Sequence, residues 1–230
     1  MSTRFYFRAY APPSDGVAPA FAAWTRTDYG VRREMSTVGD RQAIDTRYVW
    51  LGQDVGANES SLATQYVSAP LAVGQSLTTA HTVKGVMQCI QQDAASNVDR
   101  QPLCLKVVSR DGTAERITLL PLAHYGPSTA EWHTGTGQNR QLADGDALQA
   151  TYVTQRGDRL VLEMGGQVDA TGATGMSALM NNGNIFGTSD LAENEVDTAA
   201  ADPWFEISAD LTFLVPDDSS GCLFFWRAGG

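Results

Sequence analysis

The chain has 230 residues, 43% of them hydrophobic and 18% charged, and a formal net charge of −10. That length builds one large all-β domain or two small ones, burying roughly 70% of the unfolded chain's surface, so no disulfide staple is required. The acidic balance argues against sequence-independent nucleic-acid binding, which relies on Lys and Arg neutralising phosphates, and against docking on anionic lipid.

Arg4-Phe5-Tyr6-Phe7-Arg8 opens the chain as a short aromatic strand, broken at once by Pro12, Pro13, Gly16 and Pro19. Phe21-Ala22-Ala23-Trp24 reads as a helical turn, Arg47 to Leu51 as a short strand, and Gly52 to Ser61 as a loop. From Gln65 onward strand patterns repeat. Gln65-Tyr66-Val67-Ser68 ends before Pro70, and Thr79 to Ile90 contains alternating stretches. Leu103 to Ser109 and Glu115 to Leu120 flank Arg110-Asp111-Gly112, and Asp-Gly between two β-branched runs is a strong hairpin signal.

Asp144-Gly145-Asp146 reads as a turn before a strand from Ala147 to Val153. Thr151 to Val168 reads as strand, turn at Gln155-Arg156-Gly157-Asp158, and strand, with Gly165-Gly166 ending the run or bending it through a bulge. Trp204 to Phe213 forms the last long strand pattern, which can pair with the first. No persuasive amphipathic helix longer than three turns emerges. The reading is all-β: an antiparallel β-sandwich or jelly roll with an irregular N-terminal segment. Residues 1–60 then pack as a strand and extended segment on a sandwich of residues 61–230.

Cys89, Cys104 and Cys222 are an odd set without C-x-x-C spacing; Cys89 and Cys104, inside apolar strand-like runs, are expected as buried free thiols, and folding in a reducing cytoplasm is expected. No basic-then-apolar leader opens the sequence, and no apolar run approaches the ~20 residues that span a bilayer.

The chemistry-bearing residues are sparse. His81, His124 and His133 show no zinc-pair spacing. His124-Tyr125 and Trp132-His133 flank a loop in which Tyr125 and Trp132 are candidate glycan contacts, with Trp50 a further platform; loop packing is the plainer reading. Glu163 and Glu206 are the carboxylate pair a glycosidase would need across a cleft, although alternation places both on solvent faces. Asp190, Glu193, Glu195 and Asp197 form an acidic loop without EF-hand rhythm, read as solvated rather than calcium-binding. Arg156-Gly157-Asp158 is ordinary turn chemistry. No G-x-S-x-G elbow and no phosphate-cradling glycine motif is present. No catalytic, cofactor or metal residue is therefore assigned, and no enzyme is expected. Trp204 and the C-terminal Phe224, Phe225 and Trp226 are candidate interface residues, because aromatic side chains dominate interface hot spots.

Four segments resemble a group of small β-rich structural proteins of tailed bacteriophages. They are Arg4-Phe5-Tyr6-Phe7 with its Pro-rich link to Ala22-Ala23-Trp24; Gln65 to Leu71; Gly157 to Gly165; and Asp190 to Glu195 leading to Asp202-Pro203-Trp204-Phe205-Glu206-Ile207-Ser208. The resemblance implies a virion structural protein with a jelly-roll-like domain, either a capsid decoration (cement) protein or a tail or collar component. Its implied partners are other virion proteins and further copies of itself. The alternative is a carbohydrate-binding module on a receptor-binding fibre, facing a host-surface glycan.

Overall fold

The computed structural model describes residues 1–7, 22–27, 31–38, 48–50, 58–91, 97–135, 137–168, 178–181, 190–193 and 202–214. Every regular element among them is a strand: β1 (Thr3–Phe7), β2 (Val31–Ser36), β3 (Tyr48–Trp50), β4 (Ser60–Val67), β5 (Ser76–Leu77), β6 (Thr82–Gln91), β7 (Val98–Arg100), β8 (Leu103–Val108), β9 (Glu115–Ala123), β10 (Gln138–Ala147), β11 (Tyr152–Val153), β12 (Arg159–Val168), β13 (Ala178–Asn181) and β14 (Trp204–Ile207).

Twelve of these strands form one curled sheet in the order β3-β13-β6-β14-β1-β2-β4-β12-β8-β9, with β10 paired to β6 and β7 to β12. β2 is the corner. It pairs antiparallel with β1 and parallel with β4, where Arg33 lies beside Tyr66. The halves on either side of the corner bury one shared core, as in a jelly-roll-like sandwich. Phe5, Phe7, Met87, Phe205 and Ile207 come from one half; Tyr66, Leu105, Leu162 and Met164 come from the other. Alternation explains the first half: Thr3, Phe5 and Phe7 are buried while Arg4 and Tyr6 are only half-buried. Phe7 stacks on Tyr66 at 4.4 Å across the core, and Phe213 meets Phe5 edge-on at 5.8 Å.

Several sequence expectations hold. The first and last strands pair, Phe5 opposite Phe205. β8 and β9 form the hairpin around Asp111-Gly112, with Gly112 at φ 70°. β12 runs through Gly165-Gly166 by a register shift. Cys89 and Cys104 are buried free thiols.

Others are corrected. Asp144-Gly145-Asp146 is no turn: it is an irregularity inside β10, opposite Val83 and Lys84, with Gly145 at φ 89°. A glycine beyond positive φ signals a bulge as readily as a reversal. β11 does not pair back on β12; it pairs with β5, and the Arg156-Gly157-Asp158 turn carries the chain between two sheets. The final strand is four residues long, after which Phe213 bridges to Leu71. Ser60 and Ser61 belong to β4 rather than to the preceding loop. Ala22 to Trp24 form no helical turn, and Arg26 bridges parallel to Ser61. Phe21 lies outside the described residues.

Candidate functional site

Three polar assemblies stand out, and each is built by particular strands. The first is Glu163 on β12. Its side chain is fully buried, not solvent-facing. One carboxylate oxygen accepts the Trp24 indole N–H and the Ala22 amide, both at 3.0 Å; the other accepts the Gln65 side-chain amide at 2.9 Å. Charge-assisted bonds of this kind offset the cost of burying a carboxylate. Glu163 lies across the strands from Cys104, whose thiol burial pushes up to about 12. The segment before β2 is thereby fastened over the outer face of β12.

The second lies on the outer face of β1, β14 and β6, where Arg4, Glu206, Lys84 and Asp144 follow one another in register across four strands. Arg4 bonds Glu206 at 2.9 Å and Asp190 at 2.6 Å, with its guanidinium 3.9 Å above the Trp204 ring. Lys84 bonds Glu193 at 2.9 Å, and the Trp204 indole donates to the Leu191 carbonyl at 2.8 Å. The described part of the acidic loop is thus a strap fastened by two cations. Among the described residues no cluster of ligands suits a metal ion.

The third is an end of the molecule. There β1, β6, β9 and β12 begin and β2, β4, β8, β10 and β14 finish, and the small β5–β11 sheet lies across the gap. The Leu71–Phe213 bridge and the bond from the Ala72 amide to the Thr212 carbonyl tie the two halves together at this end. On the β8–β9 side, Ser109, Arg110, Asp111, Thr113, Ala114 and Arg116 line an open groove of about 530 Å³. Bonds from Ser109 and Thr113 hold the Asp111 carboxyl down at about 2. Arg116 lies 3.4 Å from Asp158, a buried acid that also accepts the Tyr152 hydroxyl at 2.7 Å. Arg110 packs its stem against Gly157, and Arg156 projects from the next turn. Arg110 and Arg156 are exposed, and neither forms an ion pair among the described residues. On the β6–β10–β14 side the exposed carboxylates are those of Asp144, Glu193 and Asp210, with Lys84 beside Asp144 and bonded to Glu193. Between and around them stand Met1, Val38, Val73 and Val153, 99%, 65%, 67% and 57% exposed. These are the exposed large apolar side chains of the described residues, and all four belong to segments at this end.

The residues singled out from sequence are placed otherwise. Trp132 is 1% exposed in the core cluster and donates its indole N–H to Gln101, so neither ring face is open to a sugar. Tyr125 packs against the same core and donates its hydroxyl to the Pro121 carbonyl at 2.7 Å. Trp204 is also 1% exposed, covered by Arg4 and Leu191 of its own chain. Glu163 and Glu206 sit on strands separated by β1, β2 and β4 and share no partner among the described residues. His124 accepts the Gln101 amide and contacts the Ser128 carbonyl, and burial lowers its pKa. Phe224, Phe225 and Trp226 lie outside the described residues, and for Trp50 the backbone course alone is described. Sequence reading missed the end face because Arg110 and Arg156 sit in turns, where arginine passes as turn chemistry, and Asp144 reads as part of a turn although it lies in β10. The available signal was valine at positions 73 and 153, each just before a turn-prone polar stretch.

No protein-family model and no curated sequence matches the chain. Among solved structures, a CocE/NonD family hydrolase from Staphylococcus aureus is similar at a TM-score of 0.49 and 7% identity, over 91% of this chain and 36% of that one. A chain of infectious bursal disease virus, Gt strain, is similar at a TM-score of 0.35 and 12% identity, over 91% of this chain and 52% of that one. The chain thus spans well under two thirds of either. The expectation that no enzyme is present is corrected by the first likeness: a hydrolase contains a region of similar fold, and one fold hosts many functions. At such identity the likeness assigns no activity.

Proposed function

We propose that this chain is a structural component of a tailed-bacteriophage particle, acting by adhesion to neighbouring subunits. The observation that carries the reading is the end face, where every exposed large apolar side chain of the described residues is gathered beside Arg110 and Arg156, which form no ion pair among the described residues. Scattered exposed apolar residues need no explanation, whereas a gathered set rimmed by charge marks a contact surface. The all-β, jelly-roll-like architecture is compatible with a structural role. The four segments that resemble phage virion proteins supply β1, the end of β4, most of β12 and β14. In this reading the chain is a decoration protein or a tail or collar component, located in the virion.

The test is quantitative mass spectrometry of purified particles. A copy number on the scale of the capsid lattice supports decoration, and one on the scale of a single ring supports tail or collar. Absence from particles overturns the proposal.

A further inference from the structure

We infer that the end face is a self-complementary interface that pairs two copies of this chain about a two-fold axis. The inference rests on the structural reading above and names the partner of that same surface. Its basis is the arrangement of charge. Arg110 and Arg156 lie where β8 ends and β12 begins; in the other half of the sheet Asp210 lies just past the end of β14, and Asp144 lies inside β10 near its end, beside Lys84. Val73 and Val153 lie between, on segments of the strip that joins the halves. An isologous contact sets each patch of one copy against the complementary patch of the next. A two-fold axis through the valines sets the arginines of one copy against the aspartates of the other, twice. The exposed valines of the two copies meet at the centre. The occupant must carry acidic and basic groups flanking an apolar strip, and this chain itself meets that description. Pairing also offers partners to the exposed arginines of a chain whose net charge of −10 otherwise opposes self-association.

Sedimentation velocity on the purified full-length chain tests this, at low and high salt. The wild type is expected to dimerise, more weakly at high salt because rim charges are screened. Arg110→Glu with Arg156→Glu sets acid against acid, and Asp144→Arg with Asp210→Arg sets base against base. Each double variant alone is expected to dimerise at least about tenfold more weakly. Mixing the two variants restores attraction at both contacts, so an equimolar mixture should regain the wild-type dimer. Near-UV circular dichroism of each variant checks that it is folded; the exposed sites leave the core untouched, and should one pair unfold, the single variants Arg110→Glu and Asp144→Arg replace it. A wild type that stays monomeric, variants that dimerise as the wild type does, or a mixture no tighter than its components would overturn the inference. So would an open-ended series of oligomers, which two-fold pairing forbids. Failure here with the chain still present in particles removes the dimer and leaves the virion role standing.

Discussion

Glu163 occupies a polar position of an alternating strand, and alternation alone would turn it to water. It is instead enclosed by Trp24, Ala22 and Gln65. Glu163→Ala strands those three donors, and buried unsatisfied groups make the loss roughly 3 kcal/mol in urea denaturation, with Glu163→Gln losing less. An Ala variant as stable as the wild type would show that the Trp24 segment is not held there. Cys104 on the adjoining strand gives a pH prediction. Burial raises its thiol from an ordinary 9.0 to about 12, so the folded state keeps a proton that the unfolded state releases. Its contribution is intact below 9.0 and lost as pH rises towards 12. Denaturation midpoints should fall across that window, and Cys104→Val should flatten the fall; equal slopes would contradict the assignment. Trp132, a candidate for glycan stacking from sequence, is a core residue, and Trp132→Ala is expected to cost about 4 kcal/mol of stability. Thermal unfolding measures it, and a negligible shift would show the ring is not buried.

At the scale of elements, β12 depends on Gly165. A Cβ there would run into the Ser61 carbonyl and come within 2.8 Å of the Trp24 ring. Backbone cannot swing aside as a side chain can, so Gly165→Ala should destabilise by about 3 kcal/mol through overpacking, read by chemical denaturation. Unchanged stability would mean that β4 and β12 are not in this register. The hairpin of β8 and β9 was legible because its signal is local: Asp-Gly supplies positive φ between apolar runs. The same chemistry misled at Asp144-Gly145-Asp146, where glycine relieves an irregularity opposite β6. β11 misled for a related reason. A turn at Gly157 was correctly located, but a turn does not state which strand the outgoing segment meets, and β5 wins that pairing.

For the whole molecule, the decisive contacts join the chain's extremes. Thr3 lies opposite Ile207, and β6 meets β14 more than a hundred residues later. Closing such long loops before any pairing is gained makes folding slow, so refolding by stopped-flow should take roughly milliseconds to seconds, and a microsecond phase accounting for the full signal would be inconsistent with this topology. The sequence by itself determined the strand-rich class, most strand positions and the two described buried thiols, because each follows from period-two patterning or turn residues; it allowed the pairing of the first and last strands, which the tertiary structure decided. Tertiary structure alone decided that β2 turns the corner by a parallel pairing, that Glu163, Trp132 and Trp204 are enclosed, and that Arg110, Arg156, Asp144, Asp210 and the exposed valines share one end. Periodicity along a strand states which side chains share a face. Which face is covered, and which distant turns become neighbours, depends on how the sheet curls, and no local pattern records that.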